Sequence, residues 1–371
     1  MAKRILVTGG AGFIGSHLVD ALLARGHRVR ILDNLEPQVH VTEPDYVNKK
    51  AEFIRGDVRS VADLEKALKD MEVVFHFAAM VGVGQSMYQI ERYTDVNSLG
   101  TAKLLEKLVA ERSRIQKLVI ASSMSIYGEG AYTCADCGLL YPKLRSEEQL
   151  KAAEWEMKCV GCPDDVEPTA TSEDKPLYPT SVYAVGKRDQ EELCLSVGRA
   201  YNIPTVALRF FNTYGTRQSL SNPYTGVCAI FLSRIKNNQP PLIFEDGRQL
   251  RDFVSVHDIV QACLLAMDKK EADYETFNVG TGKPISIYQI AQLLIKLLDK
   301  DIQPVITGKF RSGDIRHCYA DISKIREKLG YKPGVTLEEG MKELIAWGET
   351  AFAIDKFSEA EEELHRKHLL I

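Results

Sequence analysis

The chain has 371 residues, of which 45% are hydrophobic and 26% are charged, close to the averages for soluble globular proteins. Its 47 lysines and arginines against 51 aspartates and glutamates give a net charge of -4, which excludes a typical nucleic-acid-binding protein as well as a disordered or collagen-like chain. No apolar run approaches the roughly 18 residues of a membrane span. No signal peptide is evident either, so we expect a cytoplasmic protein with reduced or metal-bound cysteines.

Short apolar runs alternate with amphipathic stretches through the first half of the chain. The predicted strands cover residues 4–8, 29–32, 52–54, 73–77, 117–121 and 205–211. The predicted helices cover residues 13–25, 61–69, 101–112 and 183–201. Strands that alternate with helices indicate parallel βαβ units, so the expected fold is α/β with a doubly wound parallel sheet of the Rossmann type.

The alternation stops between residues 129 and 175, which we interpret as an insertion at about residues 130–170. We expect a first domain over residues 1–215 that contains this insertion. A smaller domain over residues 216–371 is expected to be interleaved with the first, and it includes an amphipathic helix at 287–298. The charged tail from residue 355 onward predicts a solvated helix.

A glycine-rich turn follows the first predicted strand and opens the first predicted helix. It contains Gly9, Gly12 and Gly15, and glycines at these positions allow a tight turn, the approach of a pyrophosphate and close packing of helix on strand. The free N–H groups at the helix N-terminus bind phosphate. Asp33 ends the second strand about 20 residues further on, where a carboxylate accepts a ribose 2′-hydroxyl and repels a 2′-phosphate. The pattern therefore predicts NAD as the cofactor in preference to NADP.

Two polar side chains one helical turn apart are candidates for acid–base chemistry. Tyr183 and Lys187 have the i, i+4 spacing that places them on the same face of a helix. A phenol has a pKa of about 10, and a nearby ammonium group together with an oxidised nicotinamide lowers that pKa. Ser123 follows the fifth predicted strand, at the sheet edge where ligands bind in such folds. The pattern makes Tyr183 and Lys187 candidates for acid–base catalysis and places the Ser123 hydroxyl at the same edge of the sheet.

The insertion carries two Cys-x-x-Cys pairs. They consist of Cys134, Cys137, Cys159 and Cys162. Two such pairs in a reducing compartment predict a tetrahedral structural zinc, with no open position for catalysis. A loop with free thiols or disulfides remains the alternative.

The motifs together resemble the extended short-chain dehydrogenases/reductases, in the NAD-dependent sugar-nucleotide epimerase/dehydratase family. The matching strings are TGGAGFIG (8–15), LDN (32–34), GDV (56–58), HFAA (76–79), NSLGT (97–101), SSMSIYG (122–128), YAVGK (183–187), RFFNTYG (209–215), RDFVSVHD (251–258), FNVGTG (277–282) and RSGDIRHCYAD (311–321). They run in order along nearly the whole chain. The resemblance implies a Rossmann domain that binds NAD and a smaller domain that binds a nucleotide sugar.

The resemblance also implies roles for individual residues. The expected cofactor residues are Gly9, Gly12, Phe13, Ile14, Asp33, Asn34, Asp57, Val58, Phe77, Ala78, Ala79, Val81, Asn97, Tyr183, Lys187 and Phe210. The expected substrate residues are Ser86, Ser123, Ser125, Tyr183, Asn212, Arg251, Arg311 and Asp314, with Arg316 as a further candidate for the diphosphate. Tyr183 is expected to be the acid/base, Lys187 its pKa modulator, and Ser123 a hydrogen-bond partner of the sugar 4-hydroxyl.

Two positions after Ser123 narrow the expected reaction. Dehydratases of the family carry an Asp-Glu pair there, and this chain has Met124 and Ser125. The resemblance therefore implies a 4-epimerase that works through a 4-keto sugar. A dehydratase and a non-catalytic NAD-binding regulator are less favoured alternatives.

Further strings favour one substrate class. VGVGQSMY (81–88), SNPYTGV (221–227) and the cysteine insertion are most similar to dTDP-L-rhamnose 4-epimerases, which interconvert dTDP-L-rhamnose and dTDP-6-deoxy-L-talose. UDP-glucose or UDP-N-acetylglucosamine 4-epimerase is the alternative. The resemblance also implies a homodimer formed through paired long helices, near residues 101–112 and 183–201. No nucleic-acid or membrane partner is expected.

Overall fold

The computed structural model describes residues 2–351 and 353–371. Within these residues the strands are β1 (Arg4–Thr8), β2 (Arg28–Asp33), β3 (Glu52–Arg55), β4 (Val73–His76), β5 (Lys117–Ser123), β6 (Ala131–Cys134), β7 (Gly138–Leu140), β8 (Glu167–Thr169), β9 (Thr205–Phe210), β10 (Asn212–Tyr214), β11 (Leu242–Ile243), β12 (Leu250–Ser255), β13 (Thr276–Val279), β14 (Pro284–Ser286) and β15 (Val305–Ile306). The α-helices are α1 (Phe13–Ala24), α2 (Val61–Leu68), α3 (Val83–Ser86), α4 (Ile90–Thr94), α5 (Gly100–Ala110), α6 (Glu147–Lys151), α7 (Val182–Tyr201), α8 (Val227–Lys236), α9 (Val256–Asp268), α10 (Ile287–Leu297), α11 (Ser323–Leu329), α12 (Leu337–Thr350) and α13 (Phe357–Arg366). A π-helical turn (Asp95–Leu99) and two 3₁₀ turns (Met124–Tyr127 and Lys270–Ala272) complete the helical segments.

Seven parallel strands form the central sheet, in the order β13-β9-β5-β4-β1-β2-β3. The predicted α/β fold with a doubly wound parallel sheet is therefore confirmed. In the register of the sheet, Thr8 of β1 lies opposite Leu32 of β2 on one side and opposite His76 of β4 on the other. The strand order reverses between β1 and β4, and such a switch point is where open α/β sheets bind ligands at the carboxyl ends of their strands.

Helices bury both faces of this sheet, which explains why central strands such as β4 and β9 are buried along their whole length, whereas the edge strand β3 is mostly exposed. On one face Leu18 of α1 and Ile259 of α9 belong to the core. On the other face the core includes Leu64 of α2, Leu104 of α5 and Leu195 of α7. The predicted helices and strands are found here with ends that differ by at most two residues.

The second half of the chain builds a smaller layer beside the sheet and also contributes to the sheet. β10, β12 and β14 form a three-stranded sheet, and Phe231, Leu294 and Leu344 of the neighbouring helices share one core. β13 joins the central sheet beside β9, although it follows residue 216. The domain division at residues 215 and 216 stays a prediction.

The segment that interrupts the alternation forms a unit of its own. β6 pairs with β7 and β8 in a three-stranded antiparallel sheet. Tyr132, Cys134, Met157 and Val166 form its small core. A core of this size buries little apolar surface, so other interactions have to hold the insertion together.

The charged tail is not the fully solvated helix that its composition predicts. Helix α13 is present, but Ala360 and Leu364 are buried on one of its faces. The backbone N–H groups of Phe310 and Ile371 each donate to the other residue's carbonyl oxygen, at 2.9 and 3.0 Å. The tail therefore packs on the body of the protein. None of the helices within residues 2–351 and 353–371 is long and apolar enough to cross a membrane.

Candidate active site

A cavity of about 720 Å³ opens at the carboxyl ends of the central strands. Of the predicted cofactor residues it is lined by Gly9, Gly12, Phe13, Ile14, Asp33, Asn34, Asp57, Val58, Phe77, Ala78, Ala79, Val81, Tyr183, Lys187 and Phe210. Of the predicted substrate residues it is lined by Ser123, Ser125, Asn212, Arg251, Arg311 and Asp314. One cavity thus brings together residues that lie more than 300 positions apart in the sequence.

The glycine-rich turn packs backbone against backbone. Gly9 has a φ of 69°, and a Cβ on it would lie 2.7 Å from the backbone nitrogen of Ala78. A Cβ on Gly15 would lie 2.1 Å from the carbonyl oxygen of Gly9, so both positions require glycine. Gly12 is the N-cap of α1 and supplies no side chain to the first helical N–H groups. These donors stay available at the cavity, which fits a bound pyrophosphate.

Polar groups surround the part of the cavity at the ends of β2 and β3, next to the glycine-rich turn. Asp33 accepts a hydrogen bond of 3.0 Å from the N–H of Ala11, which fixes the carboxylate beside the glycine-rich turn. Asn34 donates to Asp57 at 3.1 Å. The hydrogen bond from Arg59 lowers the pKa of the Asp57 carboxyl to about 2, so this group is ionised at neutral pH. The arrangement suits the adenosine part of a dinucleotide, as the sequence predicts.

The predicted acid/base residue faces the end of β5. Tyr183 is the second residue of α7, whose N-cap Ser181 accepts a hydrogen bond from the N–H of Ala184. Ser123 accepts a hydrogen bond of 2.9 Å from the Ser125 hydroxyl. Burial raises the pKa of the Tyr183 phenol, and its hydrogen bond with Ser123 lowers the pKa in part. The predicted lowering of this pKa is therefore not a property of the protein alone, and it would need the positive charge of an oxidised nicotinamide.

Lys187 lies one turn further along the helix and is almost fully buried. Only 4% of its surface is exposed, and its Nζ donates to the carbonyl oxygen of Ala121 at 2.9 Å. Burial lowers the pKa of the Lys187 ammonium to about 8. The hydrogen bond to the β5 backbone holds the ammonium on the cavity wall, where a nearby phenolate or a bound anion would favour its charged form.

A buried ion pair supports the end of β5 from behind. Ser122 donates to Glu191 at 2.6 Å, and Arg209 of β9 donates to both carboxylate oxygens of Glu191. All three residues are at most 5% exposed. Arg209 also donates to the Tyr127 hydroxyl at 2.8 Å. This network ties β5 to α7 and β9, and so it fixes the distance between Ser123 and the helix that carries Tyr183.

Two predicted diphosphate ligands lie at the opposite end of the cavity. The Arg251 guanidinium donates to the carbonyl oxygen of Ile315 at 2.7 Å, which orients its side chain along the cavity wall. The Arg311 side chain donates to Asp314 at 2.8 Å and lies 5.0 Å from the ring centroid of Phe244. The cavity thus combines two guanidinium groups and an aromatic ring, a set that suits a nucleoside diphosphate.

Two predicted lining residues stand behind the cavity wall, which corrects the predictions made for them. Ser86 is fully buried, and its hydroxyl oxygen accepts a hydrogen bond of 3.0 Å from the Tyr183 N–H. Asn97 is also fully buried, and its amide group bonds to the backbone N–H and carbonyl of Met80 at 2.8 and 3.1 Å. Both residues are close in sequence to residues that line the cavity. Each hydrogen-bonds to the backbone of a lining residue, Tyr183 for Ser86 and Met80 for Asn97.

The prediction of Arg316 as a diphosphate ligand is wrong. Its side chain is fully buried and lies in ion pairs with Glu156, Glu245 and Asp246. Glu245 also pairs with Arg145 of the insertion at 2.8 Å, with both side chains at most 2% exposed. Both terminal nitrogens of Arg316 donate to these carboxylates, and the side chain does not line the cavity, so Arg316 is not placed to bind a diphosphate.

Several lining residues escaped the sequence prediction. They are Gln38, His40, Asn222, Tyr224, Phe244, Glu245, Phe357, Glu361 and Leu364 among others. Phe244 follows an apolar run that looks like core, and Gln38 lies in an irregular loop. The residues from 357 onward lie in a segment whose charge suggests full exposure. Tyr224 belongs to the string SNPYTGV, so the resemblance of that string was the sequence signal available for it. In the structure its hydroxyl hydrogen-bonds to that of Tyr88, which belongs to the string VGVGQSMY, at 2.6 Å.

The four cysteines of the insertion converge outside this cavity. The sulfur atoms of Cys134, Cys137, Cys159 and Cys162 all lie within 4.8 Å of one another, and all four are free thiols. Four thiolates at about 2.3 Å from a zinc ion stand about 3.8 Å apart, so the cluster matches a tetrahedral metal site.

A buried histidine beside the cofactor wall predicts a pH dependence of stability. Burial, with a smaller contribution from the Lys187 charge, lowers the pKa of His76 to about 3. The folded state therefore binds fewer protons than the unfolded state, and the stability contribution is lost as the pH falls below about 6.5. We expect His76 to reduce the free energy of unfolding by about 2 kcal/mol between pH 7 and pH 5. Urea denaturation at both pH values measures this, and the loss should shrink in His76→Gln. An equal loss in the variant would contradict the prediction.

Comparison with known proteins agrees with this geometry. Residues 5–148 match the model of the NAD dependent epimerase/dehydratase family, and residues 165–344 match that of GDP-mannose 4,6 dehydratase. A dTDP-L-rhamnose 4-epimerase of Burkholderia thailandensis is 36% identical over 349 residues, which cover 93% of this chain and 94% of the relative. The crystal structure of a UDP-glucose 4-epimerase from Thermotoga maritima with UDP-glucose is 33% identical, with a TM-score of 0.78 and coverage of 93% and 98%.

A further solved structure holds both kinds of ligand. The UDP-glucuronic acid 4-epimerase from Bacillus cereus, in complex with UDP-glucuronic acid and NAD, is 29% identical, with a TM-score of 0.77 and coverage of 94% and 100%. The identities, the coverage and the shared fold extend over nearly the whole length of these proteins. The chain therefore belongs to the NAD-dependent sugar-nucleotide epimerase/dehydratase family of the extended short-chain dehydrogenases/reductases.

Proposed function

We propose that the protein is an NAD-dependent nucleotide-sugar 4-epimerase that works through a 4-keto intermediate. The observation that carries the proposal is the convergence of Ser123, Tyr183 and Lys187 on one cavity, together with Met124 and Ser125 in the positions of the dehydratase acid pair. Neither a thioether nor an unassisted hydroxyl serves as the acid that loss of water requires. The 4-epimerases among the relatives support the same reaction class.

The residues of this chain divide the work of the reaction between them. Bound NAD supplies an acceptor and a donor for the hydride at sugar C4. Tyr183 removes the proton of the sugar 4-hydroxyl and later returns it to O4, while Ser123 hydrogen-bonds that oxygen and keeps it in line. Lys187 stabilises the phenolate by its charge. Arg251 and Arg311 hold the diphosphate, so that the sugar can turn its other face while the nucleotide stays in place.

The proposed substrate is dTDP-L-rhamnose, converted to dTDP-6-deoxy-L-talose. The similarity to the Burkholderia thailandensis epimerase and the strings at residues 81–88 and 221–227 support it. Both strings reach the cavity, through Val81 and Tyr224. UDP-glucose is the second candidate, because the Thermotoga maritima structure with UDP-glucose has the same fold over nearly its whole length.

We also propose a structural zinc in the cysteine insertion and a homodimer. Four thiols within 4.8 Å supply the donor set of a closed zinc site. The dimer is proposed through α5 and α7, where Val185 and Tyr201 of α7 are 53% and 45% exposed. Exposed apolar side chains on long neighbouring helices are common at such interfaces.

Incubation with each nucleotide sugar in D₂O tests both the reaction and the substrate. We expect new anomeric NMR signals with dTDP-L-rhamnose and none, or far weaker ones, with UDP-glucose. Because the hydride stays on the cofactor between its two transfers, the product should carry no deuterium on its sugar carbons. Tyr183→Phe is the matched control and should produce no signal within the same time.

Each alternative gives a different spectrum. Deuterium on a sugar carbon of the product from UDP-glucose, which has a hydroxyl at C6 to lose, would indicate dehydration and contradict the epimerase proposal. Conversion of UDP-glucose alone would support the proposed 4-epimerase reaction but contradict dTDP-L-rhamnose as its substrate. If neither of these sugars nor UDP-N-acetylglucosamine reacts while the purified chain contains NAD, the non-catalytic regulator becomes the better interpretation.

A further inference from the structure

Helix α13 presents one face to the substrate end of the cavity. Phe357, Ala360, Glu361 and Leu364 line the cavity, and their spacing of i, i+3, i+4 and i+7 places them on a single side of the helix. The family models match residues up to 344, so this segment lies outside the region they describe. Its role has to be inferred from its own contacts.

The segment is firmly attached at both ends. Asp355 forms an ion pair of 3.0 Å with Arg234, and the two side chains are 15% and 6% exposed. At the other end, the N–H of Ser312 donates to the carbonyl oxygen of Leu369 at 3.0 Å, next to the mutual backbone bonds of Phe310 and Ile371. The tail thus pairs with the stretch that carries Arg311 and forms a fixed wall of the cavity.

The two ends of α13 face different parts of the site. The Phe357 ring stacks on Phe244 with centroids 6.2 Å apart, and Phe244 in turn contacts the Arg311 guanidinium. This end therefore lies beside the groups that suit a nucleoside diphosphate.

Leu364, at the other end of α13, lies beside the segment that follows β4 and beside the start of α7. Its side chain comes within 3.1 Å of the place that a Cβ on Gly84 would take. Leu364, Gly84 and Ser181 also line one small side cavity, to which Arg311 contributes as well. Ser181 caps the helix that carries Tyr183. Leu364 thus borders both Gly84 and the N-terminal end of the helix that carries Tyr183.

We propose that α13 is a substrate-binding wall, in which Phe357 contacts the nucleotide and Leu364 contacts the sugar. The proposal rests on the proposed nucleotide-sugar substrate and adds specificity-determining residues to it. Apolar side chains at these two points favour the flat face of a base and an apolar edge of a hexose, because both then lose contact with water.

The test separates the two ends by binding alone. Phe357→Ala, Leu364→Ala and the control Glu362→Ala, on the exposed side of the same helix, are titrated by calorimetry with UDP, dTDP and the intact nucleotide sugars. We expect Phe357→Ala to weaken the free nucleotides about tenfold. We expect Leu364→Ala to leave the free nucleotides within about twofold and to weaken the intact nucleotide sugar about tenfold. The control should resemble the parent protein.

The outcome is informative whether or not the chain epimerises these sugars, since nucleotide binding is measured without turnover. Bound NAD and melting temperature establish that each variant is folded, and Leu364→Met replaces Leu364→Ala if the latter is not. Affinities for both ligands equal to those of the control would overturn the proposal. Equal weakening of nucleotide and nucleotide sugar by both variants would also overturn it, because the two ends would then not be distinct.

Discussion

Replacing Tyr183 by phenylalanine is expected to lower the turnover number at least about 100-fold, in line with the usual contribution of general acid–base catalysis. The substitution removes the phenol oxygen that Ser123 contacts and leaves the ring in place. The remaining cavity keeps its glycine-rich turn and its arginines, so NAD content and nucleotide affinity should stay near those of the parent protein. Turnover is measured by NMR of the nucleotide sugar, and NAD by its absorbance after denaturation.

A second tyrosine on the same helix provides the matched control. Tyr201 ends α7 and is 45% exposed, away from the cavity. Tyr201→Phe removes the same atom from the same helix and should leave turnover within about twofold. Unchanged turnover in Tyr183→Phe would remove the phenol from the mechanism. Loss of NAD together with turnover would instead assign the effect to the cofactor contact that is also expected of Tyr183.

The predicted site residues depend on a simple property of parallel sheets. Each buried strand ends in a loop at the same edge, so a motif that follows an apolar run can be placed at the cavity without knowing the rest of the fold. β5 shows the limit of this reasoning, because the apolar pattern ends at residue 121 while the strand continues to Ser123. The reason is that the Ser122 hydroxyl finds a buried partner in Glu191, 69 residues later.

Long-range ion pairs explain where the sequence reasoning fails. Arg316 lies in a motif of phosphate-binding appearance, but Glu156, Glu245 and Asp246 surround its guanidinium. Glu156 lies in the insertion and the other two follow β11, so no local pattern brings the four residues together. The prediction of a fully solvated tail is wrong for a related reason. Several of its charged side chains are exposed, such as Glu359 and Glu362, and the few apolar residues that bury it, such as Leu364, are too sparse to stand out in the sequence.

The insertion has a small apolar core, so the zinc proposed for it is expected to contribute most of its stability. Structural zinc supplies about 10–16 kcal/mol of apparent binding free energy in small domains at neutral pH. We expect about one zinc per chain in the freshly purified protein, and local unfolding of residues 130–170 when a chelator removes it. Plasma emission spectrometry measures the metal, and limited proteolysis with mass spectrometry locates the unfolded segment. Less than about half an equivalent of zinc in fresh protein would contradict the site.

A pair of cysteine variants separates loss of the metal from loss of a thiol. Cys159→Ala removes one of the four clustered sulfurs, whereas Cys263→Ala removes a buried thiol of α9 far from the cluster. We expect zinc to fall below about a fifth of an equivalent in the first variant and to stay near one in the second, because three remaining ligands bind a structural zinc poorly.

The ion pair of Arg145 with Glu245 links the insertion to the cavity wall. Loss of zinc should therefore weaken UDP binding through the disturbed wall while bound NAD, held by β1 and α1, remains.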